Sequence, residues 1–120
     1  MKLIGHQGDV CFYSVSMIPN NLITDNQTKL GILAYGELSG HAHQFVDLDA
    51  VEVSKYAETG LLYINVKRRV GVSHGRARDF VGKEADHDYH NVIFLDPGKY
   101  CAGIVEETDW LTKTIRRVAD

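Results

Sequence analysis

Val51-Glu52-Val53-Ser54-Lys55-Tyr56, then Glu58-Thr59-Gly60, then Leu61-Leu62-Tyr63-Ile64-Asn65-Val66 is the stretch whose reading decides the fold. Residues 51–56 alternate in the period of two that puts successive side chains on opposite faces of a strand. Glu58-Thr59-Gly60 is a short polar connection with a glycine where positive φ is needed. Residues 61–66 answer as the return strand. The stretch predicts an antiparallel hairpin.

Working outward, the same pattern recurs. Val10 to Ile18 reads as a strand with Cys11, Tyr13, Val15 and Met17 on one face, closed by Pro19-Asn20-Asn21. Leu22-Ile23 and the polar turn Asp25-Asn26-Gln27 follow. Leu30 to Leu38 is the next strand, and Gly31 and Gly36 within it suggest a bulge or a close backbone approach. His41 to Val46 and Val70 with Val72 continue the series. Val92-Ile93-Phe94-Leu95 and Tyr100 to Val105 flank the turn Asp96-Pro97-Gly98-Lys99, which predicts a second hairpin. From Ser73 to Asn91 the alternation breaks, with a short helix expected near residues 76–81. Leu111, Ile115 and Val118 fit either a C-terminal helix capped by Thr108 or an edge strand. Seven or eight short strands without long alternating helices indicate an all-β fold. The expectation is a small single-domain β-barrel or β-sandwich over residues 1–120, with a cupin or jelly-roll arrangement among the options. Helix is limited to one or two short pieces, near 76–81 or at the C-terminal end.

Composition bounds the function. The 120 residues carry a net charge of −3 and are 44% hydrophobic and 24% charged, which describes a folded domain with one modest core. An acidic balance argues against nucleic-acid binding by bulk charge. No apolar run approaches a membrane span and the first residues lack a secretion signal, so the expected setting is the cytoplasm. Cys11 and Cys101 form no Cys-x-x-Cys pair and read as buried apolar residues.

Histidine is the informative residue. There are six, at positions 6, 41, 43, 74, 87 and 90. His41-x-His43 on a strand places two imidazoles on one side, where both can reach one metal ion. His87 and His90 suit one turn of helix or a tight loop, and Asp86 and Asp88 beside them could ligate or orient a ring. The predicted metal ligands are therefore His41, His43, His90 and His87. Imidazole with carboxylate accepts a divalent transition metal such as Zn, Fe, Mn or Ni.

The arrangement Gly40-His41-Ala42-His43 with a later Pro97-Gly98 resembles the cupin signature. It departs from that signature in offering Asp47 where a glutamate ligand stands and in having Tyr100 and Cys101, not histidine, after the Pro-Gly. A wider resemblance covers nearly the whole chain. Gln7-Gly8-Asp9-Val10, Gly36-Glu37 with Gly40-His41-Ala42-His43, His90, and Pro97-Gly98-Lys99-Tyr100 are similar to the pattern of a family of small bacteriophage-associated proteins. That resemblance implies a phage or mobile-element origin and brings no established activity with it.

Other chemistry finds less support. Gly82-Lys83 lacks the phosphate-loop context, with Ala77 in place of the first glycine and Glu84 in place of Ser or Thr. No nucleophile elbow supports serine hydrolysis. Arg68, Arg69, Arg76 and Arg78 are balanced by Asp79, Glu84, Asp86 and Asp88. Three functions remain: a phage-encoded metal-binding accessory module, a virion structural part such as a capsid decoration or head-accessory protein, and a cupin-like metal enzyme. A homo-oligomer or a phage protein is the expected partner.

Overall fold

A computed structural model describes residues 2–35, 41–76 and 92–104, with His41 and Arg76 through their backbone. Among the described residues nine strands form two antiparallel sheets. They are β1 (Lys2–Gln7), β2 (Val10–Ser14), β3 (Ile32–Tyr35), β4 (His41–Phe45), β5 (Val51–Lys55), β6 (Leu62–Val66), β7 (Val70–Arg76), β8 (Ile93–Leu95) and β9 (Gly98–Ile104). One sheet runs β1-β2-β9-β6-β5 and the other β3-β4-β7-β8. The sheets face each other as a sandwich and do not close into a barrel. Among the described residues no helix is long and apolar enough to cross a membrane.

The core lies between the sheets. Val10, Phe12, Ile64 and Ala102 from the five-stranded sheet meet Leu33, Phe45, Val72 and Leu95 from the four-stranded one. Each fully buried side chain of this size contributes about 1.5–3 kcal/mol. A second cluster covers the outer face of the larger sheet, where Cys11, Tyr13, Val15, Tyr63 and Cys101 pack with Ile18 and Leu22. Strands β2 and β6 are thus apolar on both faces. Met17, expected to share the Cys11 face, is exposed because β2 ends at Ser14.

The 51–66 hairpin forms as expected, with Val51 opposite Val66, Lys55 opposite Leu62 and Gly60 at φ +75°. The expected bulge appears between Ile32 and Ala34, and Gly31 makes a close approach to Leu48 and Phe45. The second expected hairpin is not formed. β8 pairs with β7 in the smaller sheet, whereas β9 lies between β2 and β6 in the larger one. Both edges of β9 are filled, so no place beside it remains for β8. Asp96-Pro97 is instead a crossover between sheets, held by Tyr100 Oη donating to the Asp96 carbonyl at 2.7 Å.

Helix placement also differs. A four-residue helix, α1 (Asn26–Lys29), stands where the sequence reads as a polar turn. Asp25 and Thr28 cap its start reciprocally, the Thr28 N–H donating to Asp25 Oδ1 and the Asp25 N–H to Thr28 Oγ1. Lys55 Nζ then ties the cap to β5, at 2.6 Å from Asp25 Oδ2 and 2.8 Å from Gln27 Oε1. A single 3-10 turn at Leu48–Ala50 leads into β5. Strand β7 runs on through Ser73 and His74 to Arg76, past Ser73, where the sequence reading ends the alternation. Residues 77–81 and the segment after Ile104 lie outside the described residues.

Candidate histidine site

Strand pairing brings two histidines together. In the β4–β7 ladder His43 stands opposite His74, with Phe45 opposite Val72 and His41 opposite Arg76 at the positions two residues to either side. Directly opposed residues on one face bring their Cβ atoms within about 5.5 Å. The two imidazoles stack with centroids 4.1 Å apart and planes 11° from parallel.

The β1–β2 hairpin closes over this pair from the other sheet. Gln7 faces Val10 across the two-residue turn Gly8-Asp9, and Gly8 adopts φ +56° while Asp9 does not take positive φ. That is the pattern of a type II′ turn, which needs glycine at its first central position. A Cβ on Gly8 would lie 3.2 Å from His43 Cε1, so glycine also makes room for the ring.

Gln7 sets the tautomer of His43. Its Nε2 donates to the Val72 carbonyl at 2.7 Å, which turns Oε1 toward His43. The Oε1 atom lies 2.8 Å from His43 Nδ1, so Nδ1 carries the proton and donates. The lone pair is left on Nε2, which lies 3.7 Å from Asp9 Oδ1. His43 is 3% exposed, and burial lowers its pKa, with the neighbouring His74 pushing the same way and Asp9 opposing. The ring is therefore neutral at pH 7.

A neutral acceptor nitrogen facing a half-exposed carboxylate oxygen leaves both lone pairs to a shared donor, such as a water, or to a cation. With metal–ligand bonds of 2.0–2.2 Å, a 3.7 Å separation corresponds to an angle at the metal of roughly 125°. An imidazole whose other nitrogen donates to a fixed oxygen is the usual state of a metal ligand.

Of the four predicted ligands, the structure places His43 in this site. His41 lies two residues before it on β4, two ladder positions away, opposite Arg76. His87 and His90, with Asp86 and Asp88, lie outside the described residues. Among the described residues no three metal-ligating side chains converge on one point. Sequence reasoning passed over Gln7, Asp9 and His74. Gly8-Asp9 between Gln7 and Val10 is itself a two-residue hairpin signal. Val70, Val72 and His74 continue one alternation, which marks His74 as a strand residue.

A protein-family model described as a domain of unknown function, DUF8820, matches residues 6–104. The chain belongs to this family. The DUF8820 region runs from β1 to the end of β9 and so takes in Gln7, Asp9, His43 and His74. No curated protein and no solved structure matches the chain.

Proposed function

We propose that this chain is a small binding module that holds a divalent transition-metal ion at its histidine end, serving as an accessory protein of a phage or mobile element. The observation that carries the metal reading is the fixed tautomer of His43. Gln7 holds the Nδ1 proton, and the free Nε2 faces the Asp9 carboxylate at 3.7 Å. His74, stacked on the same ring, and His41, His87 and His90 are the candidates for further ligands. The phage origin rests on the sequence pattern alone.

The test is metal content and titration. Purified protein should carry, or take up, about one Zn, Ni, Mn or Fe ion and gain thermal stability on binding. His43→Gln and Asp9→Asn should each weaken uptake, and a panel of alanine variants at 41, 74, 87 and 90 would name the remaining ligands. Protein that binds none of these metals, with thermal stability unchanged by each, would defeat the reading. A virion structural role would then lead. It has its own support in Leu3 and Ile4, which are 51% and 48% exposed on the edge strand β1.

A further inference from the structure

Strand β1 is weakly anchored. It stands at the end of its sheet, and among the described residues it pairs with β2 alone. Lys2, Leu3, Ile4 and His6 are exposed, and a bulge interrupts the register between Leu3 and Gly5. Gln7 is the one residue of β1 that is buried. Strand β2 differs, since Val10 and Phe12 face the core while Cys11 and Tyr13 pack on the other side. A strand with so little buried surface opens locally while the rest of its sheet stays folded. Gln7 leaves with it, whereas Asp9, next to Val10, stays.

Gln7 is also what keeps His43 Nε2 free. With β1 in place, the Nδ1–H donates to Gln7 Oε1 at 2.8 Å, and the bare Nε2 faces Asp9 Oδ1 at 3.7 Å. With Gln7 gone, that acceptor is lost. The proton then leaves Nδ1 through the water that opening admits and returns on Nε2, where the Asp9 carboxylate accepts the hydrogen bond. His74, stacked on the ring at 4.1 Å, holds the ring plane while the proton changes nitrogen.

We infer that, given the metal site proposed above, β1 is a latch under the control of the ion. In the closed form Nε2 is bare and takes the metal together with Asp9. In the open form the Nε2–H is held by Asp9 and excludes it. The ion thus binds one form and not the other, which is the condition for shifting a two-form equilibrium. Coupling runs both ways, so the ion holds β1 down and detachment of β1 weakens the ion's hold. Loss of the partner that orients a ligating imidazole costs about 10- to 100-fold in affinity, so the ion should slow β1 opening by about the same factor. Metal occupancy is thereby converted into order of the first strand.

The test is amide hydrogen exchange of the whole chain, read by NMR with and without saturating Zn(II). The two-residue turn makes Gln7 and Val10 a hydrogen-bonded pair, so the Gly5 and Gln7 amides are directed toward β2 and report its hold on β1. Both should exchange by local opening in metal-free protein, and about 10- to 100-fold more slowly with Zn(II). The Glu52 and Ser54 amides, directed toward β6 at the other end of the sheet, should gain no such factor. Asp9→Asn, a substitution on an exposed turn, should lose most of the slowing at the same Zn(II) concentration. Zn(II) taken up with Gly5 and Gln7 exchange unchanged, or with all four amides slowed alike, would overturn the latch and leave the metal reading standing. Uptake is measured on the same samples, so protein that takes up no Zn(II), Ni(II), Mn(II) or Fe(II) overturns the metal reading and the latch together.

Discussion

His43 Nδ1 donates a 2.8 Å hydrogen bond to Gln7 Oε1, joining the smaller sheet to the first hairpin of the larger one across 36 residues of sequence. Gln7 is 4% exposed and itself bound to the Val72 carbonyl, so the contact is rigid at both ends. It decides which nitrogen of His43 is free to act.

Replacing Gln7 with Leu should therefore cost more than its packing. The Val72 carbonyl and the Nδ1–H would both lose a buried partner, at about 1–3 kcal/mol each. Metal affinity should fall about 10- to 100-fold, because the ring loses its orientation. Urea unfolding and a Co(II) titration of the same variant would check the two effects separately. Unchanged affinity with reduced stability would confine Gln7 to a structural part.

Acid should weaken the metal-free protein in two steps. The folded pKa of His43 lies below its ordinary 6.5, chiefly through burial. Above 6.5 the ring is neutral in both folded and unfolded chains, and stability is at its full value. As pH falls below 6.5 the unfolded chain takes up a proton that the folded one resists, so stability declines until the folded pKa is passed. Asp25, whose carboxyl is lowered chiefly by its hydrogen bond from Lys55, adds a second loss as pH falls below 3.8. Chemical denaturation across pH 3–8 should show the upper step vanish in His43→Gln.

Gly31 and Gly60 separate strain from collision. Both hold positive φ, at +67° and +75°, but a Cβ at Gly31 would lie 2.6 Å from Leu48 Cδ2, whereas the space at Gly60 is open. Gly60→Ala should cost about 1 kcal/mol, the penalty of a left-handed residue alone. Gly31→Ala should cost about 2–4 kcal/mol, because Leu48 must also leave its place. Thermal melts of the two variants would test the order.

In the second cluster Tyr63 is fully buried, and its hydroxyl makes no well-formed hydrogen bond among the described residues, with the neighbouring Cys101 thiol as a weak partner. Tyr63→Phe should be neutral or stabilise by up to about 1 kcal/mol, since a buried hydroxyl with only a weak thiol partner is costly to keep. Its ladder neighbour Cys101 has its thiol pushed up to about 12 by burial, and burial raises Cys11 as well. Both thiols should stay protonated and react with an exposed-thiol reagent only on unfolding. Rapid labelling of native protein would show that this face opens.

By itself the sequence determined the all-β class, the 51–66 hairpin and the backbone proximity of His41 to His43. Each depends on local rules, namely period-two alternation, a glycine where φ must be positive, and the fixed direction of side chains on a strand. Tertiary structure alone decided which strands became neighbours. Val92 to Leu95 and Tyr100 to Val105 look like a hairpin in sequence, yet β9 already had β2 and β6 on its two edges, and β8 went to the other sheet. The same assembly placed His74 against His43 and laid Gln7 and Asp9 over His43. These four residues come from three strands and a turn, separated by up to 67 positions. No local periodicity encodes such a meeting, because it is set by the closure of two sheets on a shared core.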